Sequence, residues 1–452
     1  MKREKKEKYG EKLIELYKIT NEEIEFLKRY YKTTYEGLKE KQVSVKTKYS
    51  IGEKIASIFD NILDKKSFKI DEKKLKEANK QIIFENVKFS EIIKKIWVNG
   101  DNKKSLLFSM YEQYDRDEIN PKISSEKIIE VFQYEKILLN SMLSNLIITF
   151  ESSLSRLFYS LVFKNQTYLK DKSVALNKFI FDDNNFVETV LSTIGEFVDG
   201  KMYDSLDTLL EIINSEDLYI QDEILSSFKE IYYRRNIIVH NEGKINKRYL
   251  KSVDQQYKKD IKEGQELICD KTYLDFAFTT VTKLIFFLYY GILQKYDNEA
   301  CFIYEISNLA FKRLEDEDYE IAKTMYDIIS KNKNIEFLDR MMAKINYLNA
   351  LKQLGDLKTL TEELKLLDVS IATDNFKIAK LCLQNNNTQI YKMLSKTYPE
   401  SFNAESIKNW PIFIDFRKSQ EYIKFCEEHS NDFHDDSYDL LNQDKGECTN
   451  GK

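Results

Sequence analysis

The 452-residue chain is predicted to be all-α, and two features of its composition support that prediction. It contains only 12 glycines and 3 prolines, about a quarter of ordinary usage. Sandwiches, barrels and doubly wound sheets need frequent turn residues of this kind. Charged residues make up 32% and hydrophobic residues 42% of the chain, and with so few helix breakers this composition indicates long helices in series.

Residues 1–122 are the first predicted unit, an N-terminal helical domain. Thr20 or Asn21, followed by two glutamates, is a typical start of a helix. Pro121 marks the end of the unit, because the residue before a proline is pushed away from helical dihedral angles.

Residues 123–296 are the second predicted unit, a helical bundle. Apolar residues recur there at helical spacing and predict a helix over about residues 126–163. The stripe consists of Leu143, Leu146, Ile147, Phe150, Leu154, Leu157, Phe158 and Leu161. Further helices are expected over 186–198, over 202–213 and from about Gln221 onward. These helices are expected to pack on the stripe.

The most hydrophobic stretch of the chain is Tyr273–Tyr296, which approaches the length of a membrane span. Asp275 and Lys283 interrupt it, and its threonines and aromatic rings suit a helix buried in a bundle. We therefore expect a core helix, and a membrane-associated protein is the alternative.

Residues 297–430 are predicted to form a region of helix hairpins that loosely resembles tetratricopeptide repeats. Ala322 precedes Tyr326 by four residues in the second helix of the first hairpin, and a second unit is expected over 345–367. The spacing is nearer to ~40 residues than to the ~34 of that repeat, so any antiparallel helix pair is an alternative. Residues 431–452 are acidic and polar and are predicted to be a disordered tail.

Charge and cysteine content limit the classes of function. Lysine and arginine number 70 against 75 aspartates and glutamates, a net charge of −5, so the protein as a whole is not a basic nucleic-acid coat. The 5 cysteines are widely spaced without a CxxC pair, which predicts neither a disulfide framework nor a zinc site. His429 and His434 are not expected to bind metal either. We expect a cytoplasmic protein without metal, cofactor, signal peptide or membrane anchor.

One segment carries residues suited to acid–base chemistry, and over residues 228–250 it reads FKEIYYRRNIIVHNEGKINKRYL. Arg235 and His240 form an Arg-x4-His pair, and Asn236 follows the arginine. Cleaving RNA without a metal needs a base, an acid and a fixed cation on the phosphate. Histidine can do either proton task near neutrality, and arginine grips phosphate oxygens. His240 is the only histidine before residue 429, so acid–base chemistry in the body of the chain must use it.

The run RRNIIVHN, followed by Glu242 and Gly243, resembles the signature of the HEPN family (higher eukaryotes and prokaryotes nucleotide-binding). The resemblance covers about Glu126 to Tyr296. It implies a small helical bundle in which an Arg-polar-x3-His motif near a helix end forms a metal-independent ribonuclease site. It also implies a homodimer in which two Arg-His pairs face each other and leave 2′,3′-cyclic phosphate and 5′-hydroxyl ends. Such ribonucleases often act as toxins or abortive-infection effectors against phage.

Helix geometry separates the motif residues into two groups. Residues five apart are about 140° apart around a helix, so Arg235 reaches the cleft from the flank, whereas Asn236 and His240 share a face. The alternative is a surface salt bridge for Arg235 and a helix-end role for His240. Glu151 lies within the apolar stripe, where an unpaired carboxylate is costly. It is expected either to orient Arg235 or Asn236 or to form a structural ion pair with Arg234 or Arg235.

RNA contacts are predicted around and after the motif, where lysines would attract a phosphate backbone. The predicted contacts are Arg234, Asn241, Lys244, Lys247 and Arg248. Tyr249 and Tyr257, interleaved with these lysines, would offer rings for stacking. A solvated helix face accounts for the same lysines.

The sequence therefore predicts an endoribonuclease that acts as a homodimer on RNA. The flanking helical regions are expected to sense a phage trigger, to bind a regulatory protein or to restrain the site. The rival prediction is a non-catalytic nucleotide-binding or dimerisation scaffold whose C-terminal helices bind a protein.

Overall fold

The computed structural model describes residues 2–62, 83–84, 87–88, 121–169, 186–297 and 300–433. The all-α prediction is confirmed, since the regular structure of these residues is helical apart from one antiparallel pair of two-residue strands, β1 (Ile83–Phe84) and β2 (Val87–Lys88). The helices up to residue 296 are α1 Lys2–Ile62, α2 Pro121–Lys164, α3 Phe186–Met202, α4 Ser205–Glu216, α5 Asp222–His240, α6 Lys247–Ser252 and α7 Lys271–Tyr296. Those that follow are α8 Ala300–Glu315, α9 Tyr319–Lys331, α10 Phe337–Gln353, α11 Leu357–Leu366, α12 Asp374–Leu383, α13 Asn387–Thr397, α14 Ala404–Asn409 and α15 Gln420–Glu428.

The long helix α2 forms the centre of the fold. It begins at Pro121, where the boundary was predicted, and every residue of the predicted apolar stripe is at most 1% exposed. Helices α5 and α7 pack against it, and α5 begins directly after Gln221. The stripe therefore fixes the position of the helix that carries the Arg-x4-His motif.

The N-terminal helix α1 shares this core and runs antiparallel to α2. Thr20 Oγ1 lies 3.0 Å from Ser153 Oγ, and the Tyr35 hydroxyl lies 3.1 Å from Glu135 Oε1. The helix start predicted at Thr20 or Asn21 is wrong, because α1 is continuous there and both side chains are buried. Residues 89–120 lie outside the described part of the chain, so the domain boundary at residue 122 stays a prediction.

Helices α2 and α7 are long and apolar enough to cross a membrane by length and composition alone. In α7, 72% of the most apolar window is buried inside the fold, and in α2 the share is 56%. Helices in the core of a soluble protein meet the same criteria, so this packing is compatible with a soluble protein.

Arg313 of α8 joins α1 to the C-terminal region. Its side chain is 5% exposed and pairs with Glu25 of α1 and, at 3.2 Å, with Asp318. Its Nη2 atom donates a hydrogen bond of 2.7 Å to Asn21 Oδ1. Losing one partner of a buried ionic network leaves an uncompensated charge, so this joint is sensitive to substitution.

Replacing Arg313 by alanine is expected to lower the free energy of unfolding by about 3 kcal/mol, because the largely buried Glu25 loses its cation, whereas Asp318 keeps Lys28. The matched control is Lys331→Ala, which removes an exposed pair with Asp327 and should cost at most about 1 kcal/mol. Urea denaturation of both variants measures the difference. Equal free energies of unfolding for Arg313→Ala and Lys331→Ala would show that the Arg313 ion pairs do not stabilise the packing of α1.

The C-terminal region contains a regular array of helix hairpins. Helices α8, α10 and α12 begin at residues 300, 337 and 374, which gives a repeat of 37 residues. The turn between the two helices repeats as well: Glu317, Gly355 and Asn385 have φ angles of 61°, 76° and 56°. The residue after each is the N-cap of the second helix, namely Asp318, Asp356 or Asn386. Its backbone N–H donates to the carbonyl five residues earlier. Two hairpins were predicted from the sequence, and the structure adds α12–α13 as a third.

Candidate active site on helix α5

Helix α5 ends sharply after His240. The backbone N–H groups of Asn241 and Gly243 both donate to the carbonyl of Ile237, which closes the helix. Gly243 has a φ angle of 77°, and a side chain there would meet the backbone oxygen of Leu267 at 3.3 Å. His240 is therefore held at the last turn of α5, near the partial negative charge of the helix dipole.

Arg235 is held by a carboxylate from α2. Its Nη2 atom lies 2.8 Å from Glu151 Oε1, and the same oxygen accepts a hydrogen bond of 2.9 Å from Ser205 Oγ. The Arg235 guanidinium also lies 5.5 Å from the centre of the Tyr232 ring. The Arg235 side chain is 15% exposed and that of Glu151 is 28% exposed. The predicted contact of Glu151 with the motif helix is present, and its partner is Arg235.

The guanidinium of Arg235 keeps unused hydrogen-bonding capacity. Its Nε atom is buried and has no hydrogen-bond partner within the described chain. Glu151 engages only one terminal nitrogen. An arginine offers five N–H donors in a planar fork, so the Glu151 pair leaves several donors of Arg235 unengaged.

Asn236 and His240 lie on one face of α5, one turn apart. His240 is exposed and Asn236 is half-buried. Within residues 121–169, 186–297 and 300–433, neither side chain makes a hydrogen bond or an ion pair. Both are therefore available to a ligand or to a second chain.

Exposed apolar side chains flank these residues. Val239, one turn after Arg235, is 51% exposed, and Ile148, one turn before Glu151, is 56% exposed. Because side chains three or four residues apart share a helix face, both lie beside the Arg235–Glu151 pair. The site is therefore bordered by apolar surface on both α2 and α5.

Arg234 faces the interior on the other side of α5. Its Nε atom donates to Glu230 Oε1 at 2.7 Å and Nη1 to the carbonyl of Ile268, and its guanidinium lies 3.8 Å from the Tyr273 ring centre. Glu230 is fully buried and accepts further hydrogen bonds from the hydroxyls of Tyr249 and Tyr273. Burial and the nearby Glu230 raise the pKa of Tyr273 well above its usual value, so that hydroxyl stays a neutral donor.

This network changes the expected roles of two residues. Arg234 is engaged in internal contacts, and we do not retain it among the proposed RNA contacts. Tyr249 is 1% exposed, so the prediction that its ring stacks on a base is wrong. The sequence shows the Glu230–Arg234 pair at helical spacing, but the two tyrosines come from other helices, and nothing in the local pattern indicates them.

The other predicted RNA contacts lie just after the motif. The side-chain amide of Asn241 donates a hydrogen bond to the backbone carbonyl of Lys244. The Lys244 ammonium forms an ion pair with Glu242 at 2.9 Å. That pair lowers the pKa of Glu242. Lys247 and Arg248 are exposed in the first turn of α6. These side chains are open to solvent beside the end of α5, which suits either phosphate contact or a solvated surface.

The described residues contain no group of three or more His, Cys, Asp or Glu side chains placed to hold a metal ion. His429 packs between aromatic rings, with centroids 4.6 Å from those of Tyr398 and Phe425, and His434 lies outside the described residues. Cys269, Cys382 and Cys426 are buried.

Comparison of the chain with protein-family models, with curated proteins and with solved structures finds no match in any of the three.

Proposed function

We propose that the protein is a metal-independent endoribonuclease that works as a homodimer through Arg235, Asn236 and His240. The observation that supports this most directly is that Asn236 and His240 make no hydrogen bond within the described chain and lie beside Arg235, which Glu151 holds in place. The resemblance to HEPN ribonucleases gives the reaction. The 2′-oxygen attacks phosphorus and the bond to the 5′-oxygen breaks, which leaves a 2′,3′-cyclic phosphate and a 5′-hydroxyl.

The residues divide the work according to their chemistry. An imidazole can take the 2′-hydroxyl proton or give a proton to the leaving oxygen, and His240 is exposed enough to do either. Arg235 stabilises the charge that develops on the phosphate, and Asn236 donates to a phosphate or ribose oxygen. His240 of one chain supplies one of the two proton tasks, so two chains facing each other supply both.

The exposed Ile148 and Val239 support the dimer. Apolar side chains at the rim of a polar site are typical of surfaces that become buried on association. A two-fold contact across this face would bring two copies of His240 toward one cleft, because an isologous interface uses the same patch on both chains.

A second candidate function is a non-catalytic dimerisation or nucleotide-binding scaffold with a protein-binding hairpin array. The Arg235–Glu151–Ser205 arrangement favours it, since a buried ion pair can serve structure alone. The cytoplasmic location, the role in defence against phage and a regulatory partner belong to the proposed ribonuclease and rest on the family resemblance and composition.

Mapping of 5′-hydroxyl RNA ends in cells tests the proposal. Expression of the wild-type chain should create new 5′-hydroxyl ends, and expression of His240→Ala at equal protein level should not. The same ends in both cultures, or none in either, would favour the scaffold.

Glu151 is expected to position Arg235 rather than to touch substrate. Glu151→Ala should lower kcat/KM for RNA about 10–100-fold, an effect typical of groups that orient a functional side chain. Glu151→Gln keeps an oxygen acceptor for Arg235 and Ser205 and should restore most of the activity. Glu188→Ala, an exposed glutamate on α3, is the matched control. Wild-type rates for Glu151→Ala would remove Glu151 from the site.

A further inference from the structure

A second surface of the protein has the form of a docking groove. It lies in the hairpin array between α10, α11 and the end of α12, and it has a volume of about 560 Å³. Four leucines form its apolar lining, namely Leu357, Leu360, Leu364 and Leu383. Leu357 is 62% exposed and Leu364 is half-buried, whereas Leu360 and Leu383 are buried, so the open part of the lining is formed by Leu357 and Leu364.

Among the described residues that line the groove there are three lysines and no carboxylate. Lys352 is neutralised by Asp415 at 2.7 Å. Lys380 donates to the carbonyl of Leu367 and Lys365 is exposed, and neither has a carboxylate partner within residues 300–433. Lys380 nevertheless lies close enough to Asp368 to help lower the pKa of that carboxyl, so Lys365 is the unpaired charge of the rim. A positive charge over a leucine surface is complementary to an acidic segment that contains leucines.

The chain itself contains such a segment directly after the described residues. Residues 434–444 read HDDSYDLLNQD, with four aspartates around Leu440 and Leu441 and no lysine or arginine. They follow Phe433, which is fully buried against Tyr398 and Phe425 of the same C-terminal region.

The segment is long enough to extend over much of the region that contains the groove. Eight extended residues span at most about 26–29 Å, and Leu441 is eight residues beyond Phe433. A body the size of residues 300–433 has a radius of gyration of about 14 Å. The extended chain between Phe433 and Leu441 is therefore comparable in length with the size of the C-terminal region, residues 300–433, that contains the groove.

We propose that residues 434–444 dock in the groove of their own chain, with Leu440 and Leu441 on the leucine lining and aspartates facing Lys365 and Lys380. This proposal is independent of the ribonuclease activity, because neither the groove nor the segment includes residues of α5. An acidic leucine-containing segment of another protein is the competing occupant.

Hydrogen exchange on the full chain tests the docking. Substituting the segment (Leu440→Ala with Leu441→Ala) should speed amide exchange in residues 357–366 and 380–385 about threefold or more, because the local opening becomes easier. Reversing the groove charges (Lys365→Glu with Lys380→Glu) should have the same effect. The control reverses two exposed lysines of α13 outside the groove, Lys392 and Lys396, and should leave exchange in residues 357–366 and 380–385 unchanged.

A peptide experiment identifies the occupant. A fluorescein-labelled peptide of residues 434–444 should bind the full chain that carries Leu440→Ala and Leu441→Ala, more weakly as salt increases, and should bind the wild-type chain less well because its groove is filled. Unchanged exchange in both groove and segment variants, together with equal peptide binding to the two chains, would overturn the proposal in favour of an external partner.

Discussion

Replacing His240 by alanine is expected to abolish RNA cleavage, with a loss of about 10²–10⁴-fold per proton task. In the proposed homodimer both copies of the histidine disappear, so the base and the acid would be lost together. His240 is exposed and makes no hydrogen bond or ion pair within the described chain, so its removal should leave the melting temperature unchanged. Cleavage rates of a labelled RNA, measured beside thermal unfolding, separate the chemical effect from a folding defect.

Arg235→Ala should reduce cleavage to a similar extent, but for a different reason. The phosphate loses its fixed cation, and Glu151 loses its partner at 2.8 Å, so a modest fall in stability should accompany the lost activity. Arg340→Ala, on α10 and away from the site, is the control for removal of an arginine. Cleavage at wild-type rates by both His240→Ala and Arg235→Ala would exclude this motif as the active site.

The second large effect is expected from the apolar rim. The double substitution Ile148→Asp with Val239→Asp places four carboxylates in the proposed dimer contact, where burying them is unfavourable by several kcal/mol. We expect the dissociation constant of the dimer to rise at least about 10²-fold. We also expect cleavage to be lost at concentrations where the wild type is dimeric. Light scattering gives the mass and the RNA assay gives the activity of the same sample.

The control for the rim is Ile371→Asp, since Ile371 is 100% exposed in the C-terminal region. It should change neither mass nor activity. Full cleavage by a monomeric Ile148/Val239 variant would mean that one chain carries out both proton transfers, and the argument for a composite site would fail.

The parts of the fold that local pattern encodes were predictable. The stripe of α2, the start of α5 after Gln221 and the aromatic helix α7 follow from helical spacing of apolar residues and are present. The third hairpin, α12–α13, was not predicted, although its helices of 10 and 11 residues are at least as long as α11, which has 10.

The contacts between helices were predictable only in part. Glu151 was singled out because a carboxylate in an apolar stripe needs a partner, but its choice of Arg235 over Arg234 depends on how α2 and α5 rotate against each other. Ser205 and Tyr232, which complete the Arg235 environment, carry no local signature. The same limit explains Arg313, whose partner Asn21 lies 292 residues away in the chain.

The central claim is that this site cleaves RNA by transesterification through the 2′-oxygen without a metal. The most direct measurement uses the purified protein in EDTA, first to map the RNA position that it cleaves and then to compare that RNA with the same RNA carrying a single 2′-deoxynucleotide at that position. The proposed mechanism predicts a 2′,3′-cyclic phosphate and a 5′-hydroxyl from the first substrate and no cleavage at that position in the second. Cleavage at the deoxy position, or products with 5′-phosphate ends, would contradict it.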